Sequence, residues 1–180
     1  AKGVYMGIKA CIKQLFGTDS LAGRSIAVQG TGHVGENLVN LLRIENAKVY
    51  VSDINQERVI KVAKKYGAEA ISTNNLFDID YDVYAPCALG ATVNPETIQK
   101  MKCSIIAGSA NNQLADEQRD GKLLLEKGIL FAPDYVINAG GLINCYSELS
   151  GYSRKQTMQM AGNIYEATME VLKKSKAENI

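Results

Sequence analysis

The chain has 180 residues, enough to bury one substantial hydrophobic core. Its composition, 46% hydrophobic and 22% charged, is ordinary for a globular domain, and a net charge of +1 offers no basic field to nucleic acid. No apolar run reaches the roughly 18–20 residues of a membrane span, and AKGVYMGIKA lacks a signal-peptide core, so a cytoplasmic protein without membrane partners is expected.

The first element is a helix over residues 3–16, with Val4, Ile8, Cys11, Ile12 and Leu15 on one apolar stripe. GTDSLAG is a loop, and SIAVQG is a buried strand ending at Gly30. GENLVNLLRIE follows as a helix with Leu38, Leu41 and Leu42 facing inward, then AKVYVSD as a second strand. NQERVIKVAKKYG is a helix stopped by Gly67. AEAI is a short strand, STNNLFDID a polar link, and YDVYAP a strand closed by Pro86. Pro95 opens a short helix in NPETIQKM, CSIIAG is a strand, LADEQRDGKLLLEKG is helical in part, and ILFAP is a strand. Helix dominates from Ile137, and residues 153–177 read as one long amphipathic helix.

Short apolar strands alternating with helices predict an α/β fold, a Rossmann-type doubly wound, mostly parallel sheet with extra N- and C-terminal helices. Cys11, Cys87, Cys103 and Cys145 show no CxxC spacing and read as free thiols. With His33 the single histidine, no metal site is expected.

The loop Gly30-Thr31-Gly32-His33-Val34-Gly35 is a full GxGxxG between a strand and a helix. Its glycines serve a tight turn, a close approach of pyrophosphate and helix–strand packing, while the helix N-terminus supplies free N–H groups. The second strand ends in Asp53, placed to accept both ribose hydroxyls of NAD and to repel the 2′-phosphate of NADP. Ile54 and Asn55 follow it, with no arginine at once. These residues predict NAD binding, with a packing turn as the bland alternative.

Three further stretches, APCALGATVN (85–94), AGSANNQL (107–114) and APDYVINAGGLIN (132–144), each follow a predicted strand. Ligands bind along that edge of an open parallel sheet. Together with GVYMGIKA, these motifs resemble the glutamate/leucine/phenylalanine/valine dehydrogenase family over residues 2–172, nearest its leucine and phenylalanine branch. The resemblance implies NAD-dependent oxidative deamination of an apolar L-amino acid, leucine or a branched relative first and phenylalanine second, to a 2-oxo acid and ammonia. It implies that Gly30 to Gly35 hold the pyrophosphate and that Asp53 and Ile54 lie at the adenosine ribose. Cys87, Ala88, Leu89 and Gly90 are then expected to line the nicotinamide, with Ala110 and Asn111 at its carboxamide and ribose. Asn138 falls where nicotinamide and substrate meet, and Thr168 and Val171 near the substrate side chain. Core packing is the plainer account of the last two, and Asn111 could instead cap a helix. Gly140 and Gly141 read as sites of close backbone approach. Two departures stand out: His33 where the branch usually has Asn, and Cys145-Tyr146-Ser147 after LIN, which bears on the choice of amino acid.

The resemblance also assigns the general base and the cations for the substrate carboxylate to a separate N-terminal domain with a GGxK-type segment. The adjacent glycines here, in NAGG, have no lysine after them. Residues 1–180 are therefore expected to be the dinucleotide-binding domain of a two-domain enzyme, with no catalytic residue of its own and no turnover alone. The parent would be a homo-oligomer and this part a monomer. A nucleotide-sensing module without chemistry is the reading from a different class.

Overall fold

The computed structural model describes residues 1–178. Six parallel strands form one sheet in the order β3-β2-β1-β4-β5-β6. They are β1 (Ser25–Gln29), β2 (Lys48–Ser52), β3 (Glu69–Ala70), β4 (Val83–Pro86), β5 (Ile105–Ile106) and β6 (Leu130–Phe131). This is the strand order of a dinucleotide-binding fold, as expected.

Alternation along the strands builds a core on each face. Ile26 and Val28, Val49 and Val51, Val83 and Ala85, and Ile105 point into one. Ala27, Tyr50, Tyr84 and Ile106 point into the other. Helices α1 (Lys2–Phe16), α2 (His33–Ile44) and α3 (Gln56–Tyr66) contribute to the first core, and α4 (Pro95–Lys100) and α5 (Glu117–Lys127) to the second. Strands covered on both faces explain why they read as continuous apolar runs. The caps follow local chemistry. Asn55 accepts the N–H of Arg58 to start α3, and Gly67 ends it in the left-handed region at φ 67°. Asn94 and Thr97 form a capping box before α4.

After β6 the chain is helical: α6 (Asp134–Ile137), α7 (Gly140–Leu149), α8 (Arg154–Gly162) and α9 (Ile164–Glu178). α1 joins this group, not the sheet alone. A Cβ at Gly7 would lie 2.4 Å from Ile137 Cγ2, and one at Gly3 would lie 2.5 Å from Ile164 Cδ1. These glycines let α6 and α9 seat directly on α1.

Four expectations change. Leu15 is 44% exposed, because the last turn of α1 presents Phe16 and not Leu15 to the core. The polar link hides Leu76, fully buried in the second core. The run over 153–177 is two helices interrupted at Asn163, next to Gly162, where helix propensity is poor. A Cβ on Gly141 would meet nothing within 4 Å, so it marks no close backbone approach within this chain. Gly140 does face the Gly3 backbone: a Cβ on it would lie 4.0 Å from the Gly3 nitrogen, and one on Gly3 would lie 3.7 Å from the Gly140 nitrogen.

Candidate functional site

The site grows out of strand register. Gln29 pairs with Ser52 on one side and Pro86 on the other, so Gly30, Asp53 and Cys87 leave the sheet side by side. The Gly30 N–H donates to the Ser52 carbonyl at 2.7 Å, and the Cys87 N–H donates to the Gln29 carbonyl at 2.7 Å. Gly30 turns at φ 104°, and a Cβ there would lie 2.8 Å from the Cys87 carbonyl carbon and oxygen. The loop therefore needs glycine at this turn.

Gly32 caps α2, and a Cβ built on it meets nothing within 4 Å, so the helix N-terminus opens onto space. Thr31 is buried below the loop, and Val34 is half-buried. His33 is exposed, and its carbonyl accepts from Asn37 Nδ2 at 2.7 Å. Asp53 is tied down by three donors. Its Oδ2 accepts the Thr31 N–H at 2.6 Å and the Thr31 hydroxyl at 3.0 Å, and its Oδ1 accepts the Asn55 N–H at 2.9 Å. Burial opposes ionisation, but these hydrogen bonds and the charge of Arg58 outweigh it and hold the carboxyl below the usual carboxylate range.

A cavity of about 460 Å³ runs from this carboxylate past Gly30 and Gly32 to Cys87, Ala88 and Leu89. Ile54 forms its outer wall and is 90% exposed. An acidic end, an open helix N-terminus and apolar walls match the ribose, phosphates and rings of a dinucleotide. The residues present thus fit NAD. Burial pushes the Cys87 thiol up, so it stands as a neutral wall residue and not a thiolate.

Farther along the same edge lies a second crevice of about 650 Å³, lined by Ser109, Asn111, Asn138 and Leu142 among others. Asn138 Nδ2 donates to Asn111 Oδ1 at 2.6 Å. One Asn111 N–H pair and the Asn138 carbonyl oxygen are left for a ligand, a donor and an acceptor side by side. Gly90 lets the two loops meet, since a Cβ there would lie 2.5 Å from the Asn111 carbonyl. Asn111 caps no helix; α5 begins at the Asp116 cap.

Other expected residues stand elsewhere. Ala110 is buried, with its N–H on the Pro86 carbonyl, so it braces the loop from below. Thr168 is fully buried and donates to the Ile164 carbonyl at 2.7 Å, within its own helix. Val171 lines a groove against Leu124 and Leu125 on α5. Neither reaches the two crevices. Sequence reasoning missed Arg58, Thr73 and Thr92, which line the first cavity, and Tyr135 and Asp134 in the second. Arg58 could have been found from its place in the first turn of the helix after Asp53, which folds back toward the strand end.

Residues 51–179 match the family model described as Glutamate/Leucine/Phenylalanine/Valine dehydrogenase. The chain belongs to this dehydrogenase family. It is 49% identical over 180 residues to leucine dehydrogenase of Thermoactinomyces intermedius, covering 100% of this chain and 49% of that protein. L-tryptophan dehydrogenase of Nostoc punctiforme is 40% identical over 178 residues, 99% of this chain and 50% of that one. The crystal structure of the Nostoc enzyme superposes with a TM-score of 0.96 over 99% of this chain and 53% of that chain. The chain spans about half the length of the curated relatives it matches. As a member of the dehydrogenase family it carries the glycine loop and both asparagines on one sheet edge, and among the described residues no helix is long and apolar enough to cross a membrane.

Proposed function

We propose that this chain is the NAD-binding half of an amino-acid dehydrogenase that interconverts an apolar L-amino acid, leucine or a branched relative first, with its 2-oxo acid and ammonia. The observation that carries this reading is the continuous sheet edge with Asp53 and the glycine loop at one end and the Asn111–Asn138 pair at the other. Identity of 49% to a leucine dehydrogenase, against 40% to a phenylalanine and to a tryptophan dehydrogenase, favours the branched-chain substrate.

NAD, when bound, supplies the acceptor for the hydride released from the substrate α-carbon. The chain's own residues bind and orient. Gly30, Thr31, Gly32, His33, Val34 and Gly35 cradle the pyrophosphate, and Asp53 accepts the ribose hydroxyls beside Ile54. Cys87, Ala88, Leu89 and Gly90 wall the nicotinamide. Asn111 meets its carboxamide above Ala110, and Asn138 offers its carbonyl to the substrate amine. The general base and the cations for the substrate carboxylate come from outside these 180 residues, on a separate domain of a cytoplasmic homo-oligomer.

The test follows NADH absorbance in the intact protein with L-leucine, L-valine, L-phenylalanine and L-glutamate in turn. Preference for leucine or valine supports the reading. Preference for phenylalanine changes only the substrate. NAD binding without turnover on any of them favours the nucleotide-sensing module.

A further inference from the structure

The glycine loop and the ribose carboxylate are joined by a contact that the nucleotide reading alone does not require. Thr31 is 3% exposed, and its N–H and hydroxyl converge on a single oxygen of Asp53. The other oxygen is held by the Asn55 N–H. A carboxylate has about four lone-pair sites, so whatever holds three of them decides where the last one points. Arg58 lines the same cavity and acts on Asp53 through its charge, not through a hydrogen bond. Its side chain is exposed.

We propose that Thr31 is a positioning residue whose hydroxyl pins the Asp53 carboxylate toward the cavity and away from Arg58, so that selectivity at the adenosine ribose depends on Thr31 through Asp53. The proposal rests on the NAD reading given above. With the hydroxyl in place, the remaining lone pair is held where it accepts a ribose hydroxyl and the charge repels a 2′-phosphate. Without it, Oδ2 keeps the Thr31 N–H alone, and the less firmly held carboxylate can swing toward Arg58. The ribose then loses its acceptor, and a 2′-phosphate meets a partly neutralised group.

Isothermal titration of NAD and NADP into the intact protein tests this. Thr31→Val keeps the shape and the backbone N–H but removes the hydroxyl. It is expected to weaken NAD by about tenfold, the scale of one hydrogen bond to a charged group. NADP should weaken by less than about threefold, so that selectivity narrows. Thr31→Ser should retain wild-type selectivity. In an Asp53→Asn background, Thr31→Val should add less than about a twofold further change, because its effect passes through the carboxylate. Equal weakening of NAD and NADP, an undiminished penalty in the Asp53→Asn background, or no change at all would each overturn the proposal. Should valine disturb folding, judged by circular dichroism melts, Thr31→Ala carries the same expectations. A wild-type protein that binds neither nucleotide would overturn the NAD reading itself and this proposal with it. Wild-type binding with an indifferent Thr31→Val would sink the proposal alone.

Discussion

The two ends of the sheet edge are built differently. At the β1–β2 end the polar groups are already bonded: Asp53 has three donors, Thr31 is buried, and the Gly30 N–H is on the Ser52 carbonyl. At the β5–α6 end Asn111 and Asn138 hold one another in an open crevice. The position of Asn138 depends on Ile137 beside it, wedged against Gly7 of α1. The first end is held by hydrogen bonds between neighbouring strand ends, the second by packing of helices from both ends of the chain. A binding surface held by its own hydrogen bonds should ignore distant packing changes; one held by helix packing should follow them.

The largest effect should come from breaking that packing. Ile137 is fully buried, so Ile137→Ala should cost about 2–5 kcal/mol of stability, from lost transfer energy and the cavity left on α1. Thermal unfolding measures this. NAD affinity of the folded fraction should fall far less than stability, because Asp53 and the glycine loop are held by their own hydrogen bonds. An equal loss of NAD affinity would erase the distinction between the two ends.

Asp53→Asn attacks the other end. Hydrogen bonds to charged groups are worth about 1.5–3 kcal/mol, so NAD binding should fall by about 10–100-fold, with some loss of thermal stability because the folded state holds the charged carboxylate through three donors. The pH dependence follows from the sign of the shift. The ribose needs the ionised carboxylate, and the folded protein holds this carboxyl below its ordinary value, so the charge persists through mildly acid pH and is lost only as pH falls through the lower folded value. Wild-type affinity should therefore hold through mildly acid pH and drop only below it. The Asn variant should lack that drop in calorimetric titrations between neutral and acid pH.

How much could be read in advance follows the same division. The glycine loop and Asp53 were legible because a strand, a turn and a strand end carry their signals locally. Arg58 was passed over although its place in the first turn of the helix after Asp53 was there to be read. The motifs named Asn111 and Asn138 but not their hydrogen bond, which depends on β5 and α6 meeting in space. The resemblance put Thr168 near the substrate side chain with core packing as the plainer account, and Thr168 is fully buried with its hydroxyl on the Ile164 carbonyl. Leu76 was hidden because Ser72, Asn74, Asn75, Asp78 and Asp80 make the segment read as a polar link, although Phe77 and Ile79 pack beside it on the second core.

Asn138→Asp sharpens the comparison from the open end. It removes the donor to Asn111 and adds a negative charge, reversing what the pair presents to the crevice. kcat/KM for the amino acid should fall by about tenfold, a lost hydrogen bond between oriented groups, while NAD affinity stays within about twofold. Steady-state kinetics of the intact enzyme separate the two. A fall in NAD affinity as large as the fall in kcat/KM would mean that Asn138, like Asn111, serves the cofactor and not the substrate.

The smallest effect is expected at Leu15. It shares the stripe of Ile8 and Ile12, both fully buried, but is 44% exposed on the last turn of α1. Burial and not periodicity sets the cost of removing a side chain, so Leu15→Ala should change stability by no more than about 0.5 kcal/mol. Neither NAD affinity nor kcat/KM should move, because Gly3 and Gly7, which carry α6 and α9, lie at the other end of the helix. A cost near that of Ile137→Ala, measured by denaturant unfolding, would mean that the last turn of α1 packs against a surface in solution. α1 would then hold the Asn138 end from both of its termini, and the open end would be as firmly built as the closed one.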